Sequence, residues 1–167
     1  RAIAADGTVT CQADAAGPAN AFVQGGNAFG ATAALGTTDN NALEFAVNGA
    51  RVARYEPNAT SPNVLAGHAG NSAFAGVHGA TIAGGGYPGT NCLDPPTGAY
   101  TRSCGNQAAH DWAAIGGGRA NRAAGLLGTV GGGEVNTASN SYATVGGGWG
   151  NTASGFMATV GGGVSNT

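Results

Sequence analysis

Along much of the chain, apolar residues do not form runs but stand singly at fixed intervals. Ile115, Val130, Val145 and Val160 are 15 positions apart, each preceded by Ala or Thr and followed by three glycines. Asn121, Asn136, Asn151 and Asn166 repeat at the same interval, as do Ala123, Ala138 and Ala153. A Thr-Val pair is a short strand with its aliphatic side chain turned inward and its hydroxyl outward. A fixed period this short predicts a β-solenoid in which each repeat is one coil stacked on the next. The Gly triplets let the backbone turn and neighbouring backbones approach. The Ala column faces inward where only a methyl fits, and the Asn column suits a stacked amide ladder. Gly125, Asn140 and Gly155 combine the two residues that best tolerate left-handed backbone, so this column is expected to form the second corner.

Carrying the register upstream extends the stack. Asn106 and Ala108 lie 15 before Asn121 and Ala123, and Thr81-Ile82 supplies the matching strand. Aliphatic and Asn are 6 apart in a standard coil (121−115) but 24 apart here (106−82), so 18 residues are inserted within about 83–105. One more coil, with Leu65 and Asn71 again 6 apart, precedes it. The expected core anchors are Leu65, Ile82, Ile115, Val130, Val145 and Val160. The expected Asn column is Asn71, Asn106, Asn121, Asn136, Asn151 and Asn166.

Before the coils the pattern changes from period 15 to period 2. Leu43, Phe45 and Val47 alternate with polar or small residues, and Asn48-Gly49 supplies the two positive φ angles of a type I′ hairpin turn. Leu43–Tyr55 therefore reads as a hairpin, with Glu44 and Arg51 on the face opposite the apolar one. Ala31–Leu35 reads as a further strand, and DGTVTCQAD at 6–14 as another, carrying Val9 and the unpaired Cys11 as a small buried residue. The expected organisation is an N-terminal strand and linker at 1–20, a small β-hairpin unit at 21–60, and a solenoid at 61–167. The fold class is all-β, a Gly-rich β-solenoid behind a small hairpin domain.

Composition adds an expectation about assembly. With 33 Gly, and with many of its apolar residues being Ala, one chain winding around one Val per coil has little to bury. A buried Val contributes roughly 1.5–3 kcal/mol, against a backbone entropy cost of about 1–2 kcal/mol per residue. Three chains around a common axis would place three aliphatics in each layer, so a parallel homotrimer is expected. A net charge of −2 with 6 Lys+Arg argues against a nucleic-acid face. No apolar run approaches the ~20 residues of a membrane span, so no membrane insertion by this segment is expected. The start carries no secretion signal and Val164–Thr167 stops in mid-coil, so the chain is expected to be processed or a fragment with more chain to follow.

Candidate chemistry is concentrated in the insert. Cys92 and Cys104 flank a Pro-Pro turn. In an oxidising compartment they would close the excursion as a disulfide, and in a reducing one they would stay free thiols. Tyr87, Tyr100 and Arg102 are the candidate binding residues on this loop, which could either recognise a target or brace a neighbouring chain. His68, His78 and His110 fall at unrelated coil positions and suggest no metal. Neither a nucleophile elbow, a P-loop nor a dinucleotide fingerprint occurs. Residues 113–167 hold no Asp, which excludes a calcium-binding β-roll, and no catalytic group or cofactor is expected.

The repeats ATVGGGWGNTASGF and GTVGGGEVNTASNS resemble the head repeats of trimeric autotransporter adhesins. The segments DGTVTCQAD, ATAALGTTDNNALEFAVNGARVARYEP and SPNVLAGHAGNSAFAGVHGATIAGGG resemble N-terminal parts of tail-fibre proteins of the endosialidase-chaperone type. Both resemblances imply a trimeric, left-handed β-roll or β-helix fibre, extracellular, on a cell surface or on a virion. They imply attachment to an unknown surface receptor, glycan or protein, with no active site in the shaft. The alternatives are an ice-binding solenoid, suggested by the Thr129/Thr144/Thr159 and Thr137/Thr152/Thr167 columns, or a purely structural one.

Overall fold

The computed structural model describes residues 2–3, 9–10, 28, 30–89, 92–94, 99–102 and 104–167. Among them every regular element is a strand. Ala2–Ile3 (β1) and Val9–Thr10 (β2) pair antiparallel in the N-terminal unit, 1–35; Cys11 lies outside the described residues. The second unit, 36–167, begins with the hairpin Leu43–Val47 (β3) and Ala50–Glu56 (β4) and continues with Asn63–Ala66 (β5), Ser72–Ala73 (β6) and Thr81–Ile82 (β7). Cys92–Asp94 (β8) and Ala99–Arg102 (β9) form the insert. Gln107–Ala108 (β10), Ala114–Ile115 (β11), Arg122–Ala123 (β12), Thr129–Val130 (β13), Thr137–Ala138 (β14), Thr144–Val145 (β15), Thr152–Ala153 (β16) and Thr159–Val160 (β17) complete the coils.

The coils form a β-solenoid with two parallel ladders. One runs β5-β7-β11-β13-β15-β17, the other β6-β10-β12-β14-β16. The 15-residue register holds to the residue: Ile115 faces Val130, Val130 faces Val145, and Ala123 faces Ala138. A third line of bridges, Arg119–Glu134–Trp149–Val164, closes each coil. Leu65, Ile82, Ile115, Val130 and Val145 are buried, and Val160 in the last rung is half-buried.

This burial corrects the expectation of a core shared between chains. Each coil closes on itself: Val130 and Val145 have no exposed surface within a single chain, sharing one buried cluster with Ala138 and Ala153 of the opposite ladder and with Ala143. The Asn column completes the enclosure. The Asn136 N–H donates to Asn121 Oδ1 at 2.9 Å, and its side-chain amide donates to the carbonyls of Gly132 (2.9 Å) and Gly148 (2.8 Å). Asn106, Asn121, Asn151 and Asn166 repeat the backbone-to-side-chain link to the Asn of the previous coil. The ladder is therefore mainly between side chain and backbone. It satisfies buried polar groups that would otherwise cost about 1–3 kcal/mol each.

The hairpin is built into the stack. β4 pairs antiparallel with β5, so Arg54 stands opposite Leu65 and the core column Val-Val-Val-Ile-Ile-Leu ends on a charged residue. Arg54 is held by Glu44 at 3.2 Å and Glu56 at 3.0 Å. Arg51 donates to the carbonyls of Ala69 and Asn71 in the first coil. The hairpin thus caps the first coil with polar groups, as the end of a repeat stack requires. The Asn48-Gly49 turn is present, with φ of 51° and 73°. A bulge between Phe45 and Ala46 shifts the register so that Glu44 meets Arg54. Ala31–Leu35 is not a strand; its residues are exposed and irregular.

Candidate functional site

The insert opens one coil at a single position. In a standard coil Arg119 both donates its N–H to Gly133 and accepts at its carbonyl from Val135. One coil earlier these two roles are divided: Gly86 supplies the N–H, to the Gly118 carbonyl, and Cys104 supplies the carbonyl, to Ala120. Gly86 and Cys104 are 18 apart (104−86), which accounts for the whole insertion and narrows it from 83–105 to 87–104. Ala83 to Gly86 still follow the coil, Ala83 donating to Ile115.

The two ends of the excursion are tied in three ways. The Cys104 N–H donates to the Gly89 carbonyl at 3.1 Å. Cys92 and Cys104 form a disulfide with Cα atoms 5.3 Å apart. Both cysteines are buried against Ala120 and Val135, a small second core under the insert. Above this base β8 and β9 pair as a hairpin, Leu93 with Tyr100 and Cys92 with Arg102. Of the three candidate binding residues, Tyr100 and Arg102 are thus placed by their backbone in one strand. Tyr87 stands where the chain leaves the coil, half its surface exposed. The Arg119 guanidinium lies 5.6 Å from the centre of its ring, and Arg119 also pairs with Glu134 at 2.8 Å. An aromatic ring, a cation and a carboxylate therefore follow one another along the third edge, toward Trp149.

The opposite corner departs from the stereochemical reading. Gly125, Asn140 and Gly155 open turns in which Gly128, Ala143 and Ala158 donate back to them, and the left-handed residue comes two positions later. Trp112, Leu127, Tyr142 and Met157 hold that place, with φ between 52° and 60°. Gly125 is required for a different reason, because a Cβ there would run into the Asn140 carbonyl. The signal that could have revealed this corner was present: four large apolar residues recur at the 15-residue interval in a chain otherwise made of small ones.

No family model, curated protein or solved structure matches this chain. Its function is therefore argued from the geometry alone. Among the described residues no group of three His, Cys, Asp or Glu could hold a metal ion, and no helix is long and apolar enough to cross a membrane. His68 and His110 each accept a neighbouring backbone N–H through Nδ1, while His78 pairs with Asp111 at 3.2 Å and packs edge-on against Trp112. A shallow depression of about 190 Å³ beside Tyr55, Glu56, Asn41 and Thr37 is smaller than the roughly 300–1,000 Å³ of ordinary ligand pockets. The two Thr columns belong to different ladders, Thr129/Thr144 to one and Thr137/Thr152 to the other. They make single rows on separate faces, which does not favour a flat ice-binding array.

Proposed function

We propose that the chain is a segment of a non-enzymatic, trimeric surface-attachment fibre, of tail-fibre or bacterial adhesin type. The observation that carries this reading is the contrast between a shaft that keeps a 15-residue register from Asn106 onward and the disulfide-tied hairpin set into its earlier part. Rigid scaffolds that present one variable loop are built for recognition. Tyr87, with Arg119 stacked on it, and the β9 residues Tyr100 and Arg102 are the contact residues of this reading. The target is a surface glycan or protein, and no nucleic acid is involved. Three copies of the insert around one fibre would convert weak contacts into avid ones. The disulfide favours an oxidising, extracellular or virion setting.

Deleting Tyr87–Cys104 tests the assignment, because it returns the Ile82-to-Asn106 spacing to 6 (24−18) and gives Gly86 both roles at the corner. The shaft and its oligomer are expected to survive while binding to target cells is lost. Loss of the oligomer would make the insert a brace between chains, and unchanged binding would remove attachment from it altogether.

A further inference from the structure

The corner formed by Trp112, Leu127, Tyr142 and Met157 exposes 44, 40, 45 and 59% of these residues, and Phe156 beside it exposes 62%. All four corner residues sit in left-handed backbone, where a Cβ is disfavoured and Gly or Asn is normal. Three of these turns place Gly or Asn two positions earlier, at Gly125, Asn140 and Gly155, so the repeat has small residues available and does not use them here. Trp112 packs edge-on against His78 and Tyr142 against Phe156, yet each corner residue still turns 40% or more of its surface outward.

We infer that this row is the surface along which copies of the chain associate side by side, parallel and rung against rung. The inference rests on the trimeric reading above and names its contact. Taking about 200 Å² for a large side chain, the five residues expose roughly 500 Å². That is more than half of the ~800 Å² each partner gives to a standard interface, and near the upper limit for a patch on a monomer. The flanking Leu126 and Ser141 carry no charge, and the nearby Asp111 accepts from the His78 backbone N–H at 3.0 Å.

Pitch selects the partner further. Leu127 donates to the Asp111 carbonyl at 3.1 Å, Tyr142 to Leu126 at 2.8 Å and Met157 to Ser141 at 3.0 Å, so the row rises at the strand spacing. Side chains at about 4.8 Å intervals are matched by a surface of the same rise, which a second copy of this solenoid supplies. The Tyr142 and Phe156 rings, 5.7 Å apart and edge to face, already show how neighbouring rungs interlock. A corner, unlike a flat face, can be shared by three chains about one axis.

The double variant L127N/Y142N tests this, because Asn tolerates left-handed backbone better than Leu or Tyr. Its coil is expected to keep the far-UV circular dichroism of the wild type while self-association weakens at least about tenfold by sedimentation velocity and native mass spectrometry. A variant that keeps the wild-type oligomer would overturn the inference and leave the trimer on another face. A variant that loses its β-sheet spectrum would also overturn it, since the row would then hold the coil together. A wild-type chain that stays monomeric would sink the trimeric reading and this contact with it.

Discussion

The coils from Asn106 onward and the coil interrupted by the insert solve the same corner differently. In the first, one residue such as Arg119 donates and accepts at the third edge; in the second, Gly86 and Cys104 share the task from 18 positions apart. A coil therefore needs an N–H and a carbonyl at a given place, and it does not matter whether they belong to one residue. The uniform coils are held by repeated amide and backbone contacts. The interrupted coil replaces one peptide link with a disulfide, a hydrogen bond to Gly89 and a packed base.

That contrast is most sharply tested inside a Gly triplet. Gly133 has φ of +83° and a Cβ there would meet the Gly148 carbonyl, whereas the neighbouring Gly132 has open space and no left-handed angle. Gly133→Ala is expected to destabilise the shaft by about 4 kcal/mol, combining backbone strain with overpacking. Gly132→Ala is expected to stabilise it by about 0.5 kcal/mol. Urea unfolding midpoints should separate the two, and equal effects would mean the uniform coils are looser than the stacking geometry requires.

The next largest effect is expected for Asn136→Ala. It removes the acceptor of the Asn151 N–H and the donor to Gly132 and Gly148, all in a buried site. The loss is expected to be on the order of 3 kcal/mol, read from the same unfolding curves. A loss below about 1 kcal/mol would show that water replaces the ladder.

Reducing the disulfide should give the smallest change in the shaft. The bridge spans 12 positions, and its roughly 3 kcal/mol constrains the insert itself. Hydrogen exchange in β8 and β9 is expected to rise, while the shaft's unfolding midpoint moves by less than about 0.5 kcal/mol in equivalent stability. A large drop in that midpoint would mean the opened coil cannot close without its bridge.

The repeat was legible because period and residue type carry the same information: Val130, Asn136 and Ala138 each recur where the coil needs them. The self-sufficiency of the core was not, because Ala and Asn look like poor core residues until their packing and hydrogen bonds are seen. The cap was hidden for another reason. Asn48-Gly49 announces a hairpin, but its docking depends on Arg54 facing Leu65, a non-local pairing that local alternation does not encode. The left-handed corner was misplaced because Leu127 and Tyr142 occupy backbone that their own preferences oppose. The insert's length could be counted from spacing alone, yet its attachment at one divided position emerged only from hydrogen bonds.

The Asn ladder has a consequence for how such a chain changes over generations. Each Asn bonds only to its own coil, the coil before and the coil after, and those coils offer the same atoms at every step. Gaining or losing one whole repeat therefore leaves every kind of neighbour contact intact and alters the shaft by one strand spacing, about 4.8 Å. Losing a single residue instead breaks the bonds of the coil that loses it. Recombination between near-identical repeats would thus adjust the reach of the molecule in whole steps, with the hairpin cap and the insert carried along unchanged.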